Sequence, residues 1–478
     1  MNPFYTLLPT DRPAISDIHQ TITYKQLISE AIKIRDWFSS MGYKRGHRIG
    51  IAGQQSIETY KYFLAAWMIS SAVGLRIDQK QNDWNHKIPA SNLNVVIELA
   101  DEVLVHHKHF DKSTECPKEF ATYFSSGTTS NNWAQAQSTP MVWEIDEYNW
   151  GQSLDVNHYC RAIANPCVHE PSKNIQIQVM QPWITWGQEM VAYNLIHQGH
   201  VILVNEIQEW DILLRRFKPT WTVMFPMIAF RLMEKNTGAN HKLDCVEMSG
   251  VRPTMNQIND MKKFFNCDYF TSHYGTSQAG NVSYNSGDGK NLQHIGKVCD
   301  GFIHAFGEDM HRIGKNGTME IKWPANPPTM LNEDGYYDTN DIVELGHDGN
   351  YHFLGRANEM LMIRGGSKFQ APSVEDRLME NINIKEAYIY PIPDPNINEK
   401  GSLFQIPGCL YYGEITVDEV KEYCDQQLPP YMRPIQIHKL KNKLSTFTDE
   451  SVWKVRRLHM HDSLLENKDE WCSSSYYQ

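Results

Sequence analysis

The sequence predicts an α/β fold that ends in a small α+β domain. Three observations carry this expectation. Strand-like and helix-like segments alternate through about the first 235 residues, short alternating segments with glycine turns follow from about residue 296, and a short helix–strand–helix pattern returns beyond Arg356. The chain has 478 residues, too many for one ordinary core. Two domains are expected, covering 1–357 and 358–478.

The elements are read in order. Residues 22–42 have the spacing of an amphipathic helix: Thr23 or Tyr24 opens it, Leu27, Ala31, Ile34, Trp37 and Phe38 recur on one face, and Gly42 ends it. Arg48–Ala52 reads as a strand and residues 56–71 as a second helix, with Gly74 ending the run. The mostly apolar stretch from Tyr62 to Leu75 is too short to span a bilayer and reads as buried helix. Strand and helix alternate again over 176–204 and 219–235, so two similar α/β halves are expected. Lys315-Asn316-Gly317 and His347-Asp348-Gly349-Asn350 read as hairpin turns. In the tail, helices are expected near 373–382 and 416–427 and a strand near 386–392. The last dozen residues, with Ser473-Ser474-Ser475, read as a frayed end.

Composition narrows the function. Apolar residues make up 41% and charged residues 21%, a globular balance. The net charge is -11, from 45 basic and 56 acidic residues, which argues against a nucleic-acid groove as the main function. The 9 cysteines include no CxxC pair, so reduced thiols in a cytoplasmic enzyme are expected rather than a metal site or disulfide framework. Met-Asn-Pro-Phe-Tyr-Thr at the start lacks a basic region followed by an apolar run, so no signal peptide and no membrane span are expected.

Five short segments could carry chemistry. Ser125-Ser126-Gly127-Thr128-Thr129-Ser130 follows a strand-like segment, and its N–H groups and hydroxyls could wrap a polyphosphate. A Ser/Thr-rich surface turn fits the same letters. His273-Tyr274-Gly275-Thr276-Ser277-Gln278 puts an aromatic ring before a glycine, suited to stacking on a purine or to a plain strand-to-loop turn. In Thr339-Asn340-Asp341 the carboxylate could accept from two ribose hydroxyls, or be a turn aspartate. Arg356, after Gly355, could grip phosphate or ribose, or form a surface salt bridge. Lys454, within Ser451-Val452-Trp453-Lys454-Val455-Arg456-Arg457, could deliver a mobile positive charge or belong to a solvated basic stretch.

Their order changes the reading. The chain resembles the adenylate-forming superfamily of acyl-CoA synthetases, peptide-synthetase adenylation domains and luciferases. Ile22–Leu27 is similar to "LTYxEL", Met41–Ile49 to "GVxxGDRV", Ser125–Ser130 to "SSGTTG", and Ser249–Pro253 sits where "GGAPL" falls. Tyr274–Gln278 resembles "YGxTE", Thr339–Asp341 "TGD", Gly355-Arg356 "GR", and Gly365 through Glu375 "GGxxxxPxEIE". Leu428–Pro434 resembles "LPxYMxP", and Lys454 falls at the C-terminal "GK" lysine.

The resemblance implies a large N-terminal domain of stacked α/β subdomains with a small β-barrel-like part, then a small mobile α+β C-terminal domain. It implies ATP-dependent activation of a carboxylic acid to an acyl-adenylate, with transfer to a thiol of coenzyme A or of a carrier protein's phosphopantetheine. Mg²⁺ and cationic side chains would screen the like charges that meet when a carboxylate attacks the α-phosphorus. By the same resemblance Asp341 holds the ribose with Arg356 nearby, and Tyr274 stacks near adenine beside Gly275 and Ser277. Ser125, Ser126, Gly127, Thr128 and Thr129 cradle phosphates, Gln278 stands at the Mg²⁺ contact, Lys454 is the catalytic lysine, and the small domain turns about Asn358.

The chain departs from the family pattern at several of these places. Ser130 replaces a glycine, Asn132-Trp133 a Pro-Lys, Gln278 a glutamate, Asn340 a glycine, Asn358 an Asp or Lys, and Trp453 a glycine. A lost charge-assisted contact is worth roughly 1.5–3 kcal/mol, or about tenfold to a hundredfold in rate. Trp186 falls where amino-acid-activating relatives place an aspartate for the α-ammonium. An unpaired buried ammonium is costly, so an aryl or acyl acid without an α-amino group is expected, with Trp183, Trp186 and Gly250 around it. Three readings are open on these residues: an acid–thiol ligase, a nucleotide- or acyl-binding protein without turnover, and an adenylating enzyme that transfers to an amine or hydroxyl.

Overall fold

The computed structural model describes residues 3–45, 47–69, 71–76, 84, 93–106, 121–124, 140–145, 171–237, 241–251, 253–276, 280–285, 295–298, 311–322, 331–363, 367–393, 405–443, 448–449, 454–455 and 457–477. Its contacts separate two compact units. One comprises Met1–Pro253, Gln257–His311 and Ile321–Tyr337, and the other Thr254–Asn256, Arg312–Glu320 and Asp338–Gln478.

The first unit is α/β. Its nine-stranded sheet runs, in spatial order, Lys297–Val298, Gly280–Tyr284, Tyr269–Thr276, Cys245–Met248, Trp221–Met224, Ile175–Gln178, His200–Leu203, Pro13–Ser16 and Thr21–Thr23. From Tyr269–Thr276 to Pro13–Ser16 the neighbours are parallel. Trp221–Met224 and Cys245–Met248 are buried at every position, as parallel strands covered on both faces must be. A second sheet, of six strands, has the parallel centre Val95–Leu99, Arg48–Ala52 and Ser71–Leu75.

Helix Tyr24–Ser40 starts where the sequence places it. Thr23 is its N-cap and exchanges both hydrogen bonds of a capping box with Gln26. The Tyr62–Leu75 stretch requires a correction, because it is not one helix. The helix ends at Ile69, and Ser71–Leu75 is a strand beside Arg48–Ala52. Gly74 lies inside that strand and ends nothing. Both the helix and the strand are buried on all sides there, and a continuous apolar run erases the period that would separate them. Gly74 is needed for close approach: a Cβ there would lie 2.6 Å from Pro182 O and 2.7 Å from Trp183 Cα.

The second unit contains two four-stranded sheets. The smaller is His311–Ile313, Thr318–Ile321, Tyr337–Leu345 and Tyr351–Arg356, and it holds both expected glycine-turn hairpins. The other is Ile384–Pro393, Gln405–Gly413, Gln436–Leu440 and Cys472–Tyr477. Alternate residues of this sheet serve two cores. Ile389 and Cys409 pack with Val374, Leu378, Val420 and Cys424 from helices Ala371–Met379 and Val417–Gln427. Tyr390 and Leu410 pack with Met460 and Leu464 from helix Met460–Trp471. The two-residue period of a strand makes this division.

The expected frayed end is also corrected. Cys472–Tyr477 pairs antiparallel with Gln436–Leu440, so the ladder hydrogen bonds of a sheet tie the serine run down. Among the described residues no helix is long and apolar enough to cross a membrane.

Candidate active site

Asp341 and Arg356 are brought together by register. Strands Tyr337–Leu345 and Tyr351–Arg356 form an antiparallel hairpin in which these two residues are direct partners. Its turn is set locally, where Asp348 Oδ1 accepts from Asn350 N–H at 3.0 Å. Arg356 Nε lies 3.1 Å from Asp341 Oδ1. The N–H does not point along that line, so the contact is a charge pair rather than a directed hydrogen bond. The Asp341 side chain is 10% exposed and that of Arg356 28%. This places the pair at a partly covered surface and not in bulk water.

Thr339 organises the pair. Its hydroxyl donates to Met319 O at 2.8 Å and accepts from Asp341 N–H at 3.1 Å. Its carbonyl accepts from Arg356 Nη2 at 3.3 Å. Asp341 is therefore a strand residue with a fixed backbone. The turn-like contact belongs to Asp338, whose Oδ1 accepts from Asn340 N–H at 2.8 Å. Sequence reading placed Thr339 in the motif but gave it no role.

Asn340 has φ +58°. Asparagine is among the few L-residues that visit this left-handed region routinely. Where the resembled "TGD" motif has glycine, this chain thus has a residue that keeps a glycine-like backbone. Gly355 has φ +151°, and a Cβ there would collide with the Gln370 side chain. This places a second backbone constraint beside Arg356.

In the first unit, three candidate pocket residues follow the same ends of two parallel strands that flank Trp221–Met224. Trp183 and Trp186 come after Ile175–Gln178, and Gly250 comes after Cys245–Met248 with φ +92°. Tyr274 lies late in Tyr269–Thr276, opposite Ser283, and Gly275 pairs with Asn281. Ligands of open α/β sheets bind beyond the carboxyl ends of such strands. Trp186 meets His273 edge-on at 4.6 Å between ring centres and Phe225 at 5.6 Å. His273 Nδ1 lies 3.9 Å from Glu247 Oε2, and both side chains are buried. Arg76 stands over the Trp183 ring at 5.5 Å. Among the described residues, the buried indole N–H groups of Trp183 and Trp186 meet no acceptor. Sequence reading missed Glu247 and Arg76, since neither stands in a motif.

Lys454 lies on the short strand Lys454–Val455, where it pairs with Asp449. Asn358 is the middle residue of the 3-10 turn Ala357–Glu359. The basic stretch after Lys454 is not wholly solvated. Arg457 is held by two carboxylates, donating to Glu359 Oε2 at 2.8 Å and to both Glu375 oxygens at 2.9 Å. Ser125, Ser126, Gly127, Thr128, Thr129, Ser277 and Gln278 lie outside the described residues.

Among the described residues no group of three or more His, Cys, Asp and Glu side chains could hold a metal ion. Burial pushes the Cys424 thiol up to about 12 and those of Cys267 and Cys472 to about 11, so none of these is a ready thiolate.

Comparison with known proteins agrees with this geometry. Residues 7–141 match the family model described as AMP-binding enzyme. A putative long chain fatty acid-CoA ligase VraA of Staphylococcus aureus (strain MRSA252) is 22% identical over 438 residues, covering 88% of this chain and 89% of that protein. An L-proline--[L-prolyl-carrier protein] ligase of Pseudomonas fluorescens is 29% identical over 136 residues, 28% of this chain and 25% of its own length. Among solved structures, ATP-bound MatB from Rhodopseudomonas palustris superposes with TM-score 0.76 at 14% identity, covering 98% of this chain and 99% of that one. The anthranilate CoA ligase AuaEII in complex with anthranoyl-AMP gives TM-score 0.76 at 13% identity, covering 95% and 94%. The structural likenesses carry the fold; the family model and the long relative agree with the ordered motifs. The chain resembles the adenylate-forming superfamily, and the comparisons together support an adenylate-forming ligase.

Proposed function

We propose that this protein activates an aryl or acyl carboxylic acid with ATP and passes the acyl group to a thiol, either coenzyme A or the phosphopantetheine arm of an acyl or peptidyl carrier protein. The observation that carries the proposal is the Asp341–Arg356 pair, held in register on facing strands by Thr339. A nearly buried carboxylate is a good acceptor for two ribose hydroxyls. The adjacent guanidinium supplies positive charge near the phosphates. Tyr274 is proposed to stack near adenine, and Ser125–Thr129 to wrap the β- and γ-phosphates.

Lys454 is proposed to meet the substrate carboxylate and the α-phosphate. There its charge would offset the repulsion that grows as the carboxylate attacks. Mg²⁺ is generally held by substrate phosphates and one or two carboxylates, not by a protein cage. At the family's contact this chain offers Gln278, a neutral amide oxygen, so the ion would rest mainly on the ATP phosphates. We assign 1–357 to the large domain and 358–478 to the small one, with Asn358 as the hinge. The 3-10 turn at Ala357–Glu359, set between two strands, supports that assignment. Trp186 beside His273, with no aspartate at its position, supports an acid lacking an α-amino group.

The test is direct. Purified protein is incubated with ATP, MgCl₂ and a library of acids, and pyrophosphate and acyl-AMP are measured. Acid-dependent pyrophosphate with a matching acyl-AMP mass is expected. Silence across a broad library, with ATP binding intact in calorimetry, overturns the proposal and favours a binding protein without turnover, the reading suggested by Trp133, Trp453 and Gln278. Product analysis with coenzyme A, carrier protein, amines and alcohols then identifies the acceptor.

A further inference from the structure

Three segments far apart in sequence meet at one guanidinium. Arg457 lies just past strand Lys454–Val455, Glu359 closes the turn that contains Asn358, and Glu375 sits on helix Ala371–Met379. Arg457 Nη1 donates to Glu359 at 2.8 Å. Nη2 donates to both oxygens of Glu375 at 2.9 Å, and Nε donates to Glu375 Oε1 at 3.2 Å. Glu375 Oε1 also accepts from Ile389 N–H at 2.7 Å, which fixes it to strand Ile384–Pro393. The three side chains are 13%, 15% and 9% exposed for Arg457, Glu359 and Glu375. Burial alone would lower the Arg457 pKa, but the two carboxylates outweigh it and keep the guanidinium charged.

Buried ion clusters are poor sources of stability, because desolvation offsets most of the attraction. Their directional bonds do fix geometry. A bidentate fork on one carboxylate and a single bond to another leave the guanidinium plane little freedom. All three residues lie on the C-terminal side of Asn358, so a rotation there would leave the cluster intact.

We propose that Arg457 is a positioning residue that couples the Lys454 segment to the turn at Asn358, so that the lysine moves with the hinge as one piece. This rests on the reading of Lys454 and Asn358 given above. It adds the device that would make a rotation at Asn358 deliver Lys454 to a defined place.

The test uses the full chain and the variants Arg457→Met, Arg457→Lys, Glu359→Gln and Lys454→Ala. Hydrogen exchange reads the coupling without activity. In Arg457→Met, amides in 454–455 and 357–362 should both exchange at least about tenfold faster, while Gln405–Gly413 keeps its protection. Arg457→Lys, which keeps the charge but loses the fork, should fall between. In pyrophosphate release, Arg457→Met should lower kcat at least about tenfold with KM for ATP little changed.

Exchange that is unchanged, that changes in only one of the two segments, or that rises uniformly through the unit overturns the coupling. If Arg457→Met does not fold, Glu359→Gln removes one arm and is read by the same exchange criteria. If Lys454→Ala keeps wild-type pyrophosphate release, the proposed role of Lys454 fails, and the exchange result still decides the coupling separately.

Discussion

Asp341 and Arg356 are opposite each other in one antiparallel ladder, and both bond to Thr339, Asp341 through its backbone N–H and Arg356 through its guanidinium. One threonine thus sets the positions of an anion and a cation on different strands. The arrangement is stiff because each member is held by main chain as well as by charge.

Asp341→Asn keeps the size and the strand but removes the charge. If the carboxylate accepts from ribose hydroxyls, the Kd for ATP should rise about tenfold to a hundredfold, as expected for loss of a charge-assisted contact of roughly 1.5–3 kcal/mol. Calorimetry with ATP checks this. A change under twofold, with the melting temperature retained, would remove Asp341 from the binding site.

Asn340 should be replaceable by glycine and by little else. Its φ of +58° suits both residues. Asn340→Gly is expected to leave the urea midpoint nearly unchanged, while Asn340→Val should lose roughly 1–2 kcal/mol from the left-handed backbone. The strained variant should also weaken ATP binding, because Asp341 follows directly. Equal stability of the valine and glycine variants would contradict the backbone argument.

His438 should make the second unit sensitive to acid. It is fully buried on strand Gln436–Leu440, and burial, helped by Lys468, brings its pKa down to about 4. Above about pH 6.5 both folded and unfolded forms are neutral, so its contribution to stability is fully present. As pH falls towards 4 the unfolded chain binds a proton that the folded one refuses, and stability drops by up to about 3 kcal/mol. His438→Gln should flatten the decline of the melting temperature between pH 7 and 4. An unchanged slope would assign the acid sensitivity to other groups.

Much of the α/β order was legible because its helices carry one apolar face and its turns carry glycine. The helix start at Thr23, and the Lys315–Gly317 and His347–Asn350 turns, are local signals that the structure keeps. The strand Ser71–Leu75 was hidden because a strand buried on both faces reads as unbroken apolar sequence. The pairing of Cys472–Tyr477 was hidden because its partner lies far away in the chain. At the site, Asp341 and Arg356 stood in recognisable motifs, and their pairing follows from a hairpin whose turn was visible. Glu247, Arg76 and the ties of Arg457 left no mark, since contacts between distant strands and helices have no short-range spacing. Arg457 looked like part of a solvated basic run for that reason.

The sheet of Ile384–Pro393 divides its surroundings into two rooms with separate walls. Ile389 and Tyr390 are neighbours in the chain, yet each answers to a different helix. The sheet parts the two cores, and Arg457, in the turn just before helix Met460–Trp471, reaches past it to Glu375. Two packing problems are thus solved on opposite faces of one sheet, and a single guanidinium is shared between them.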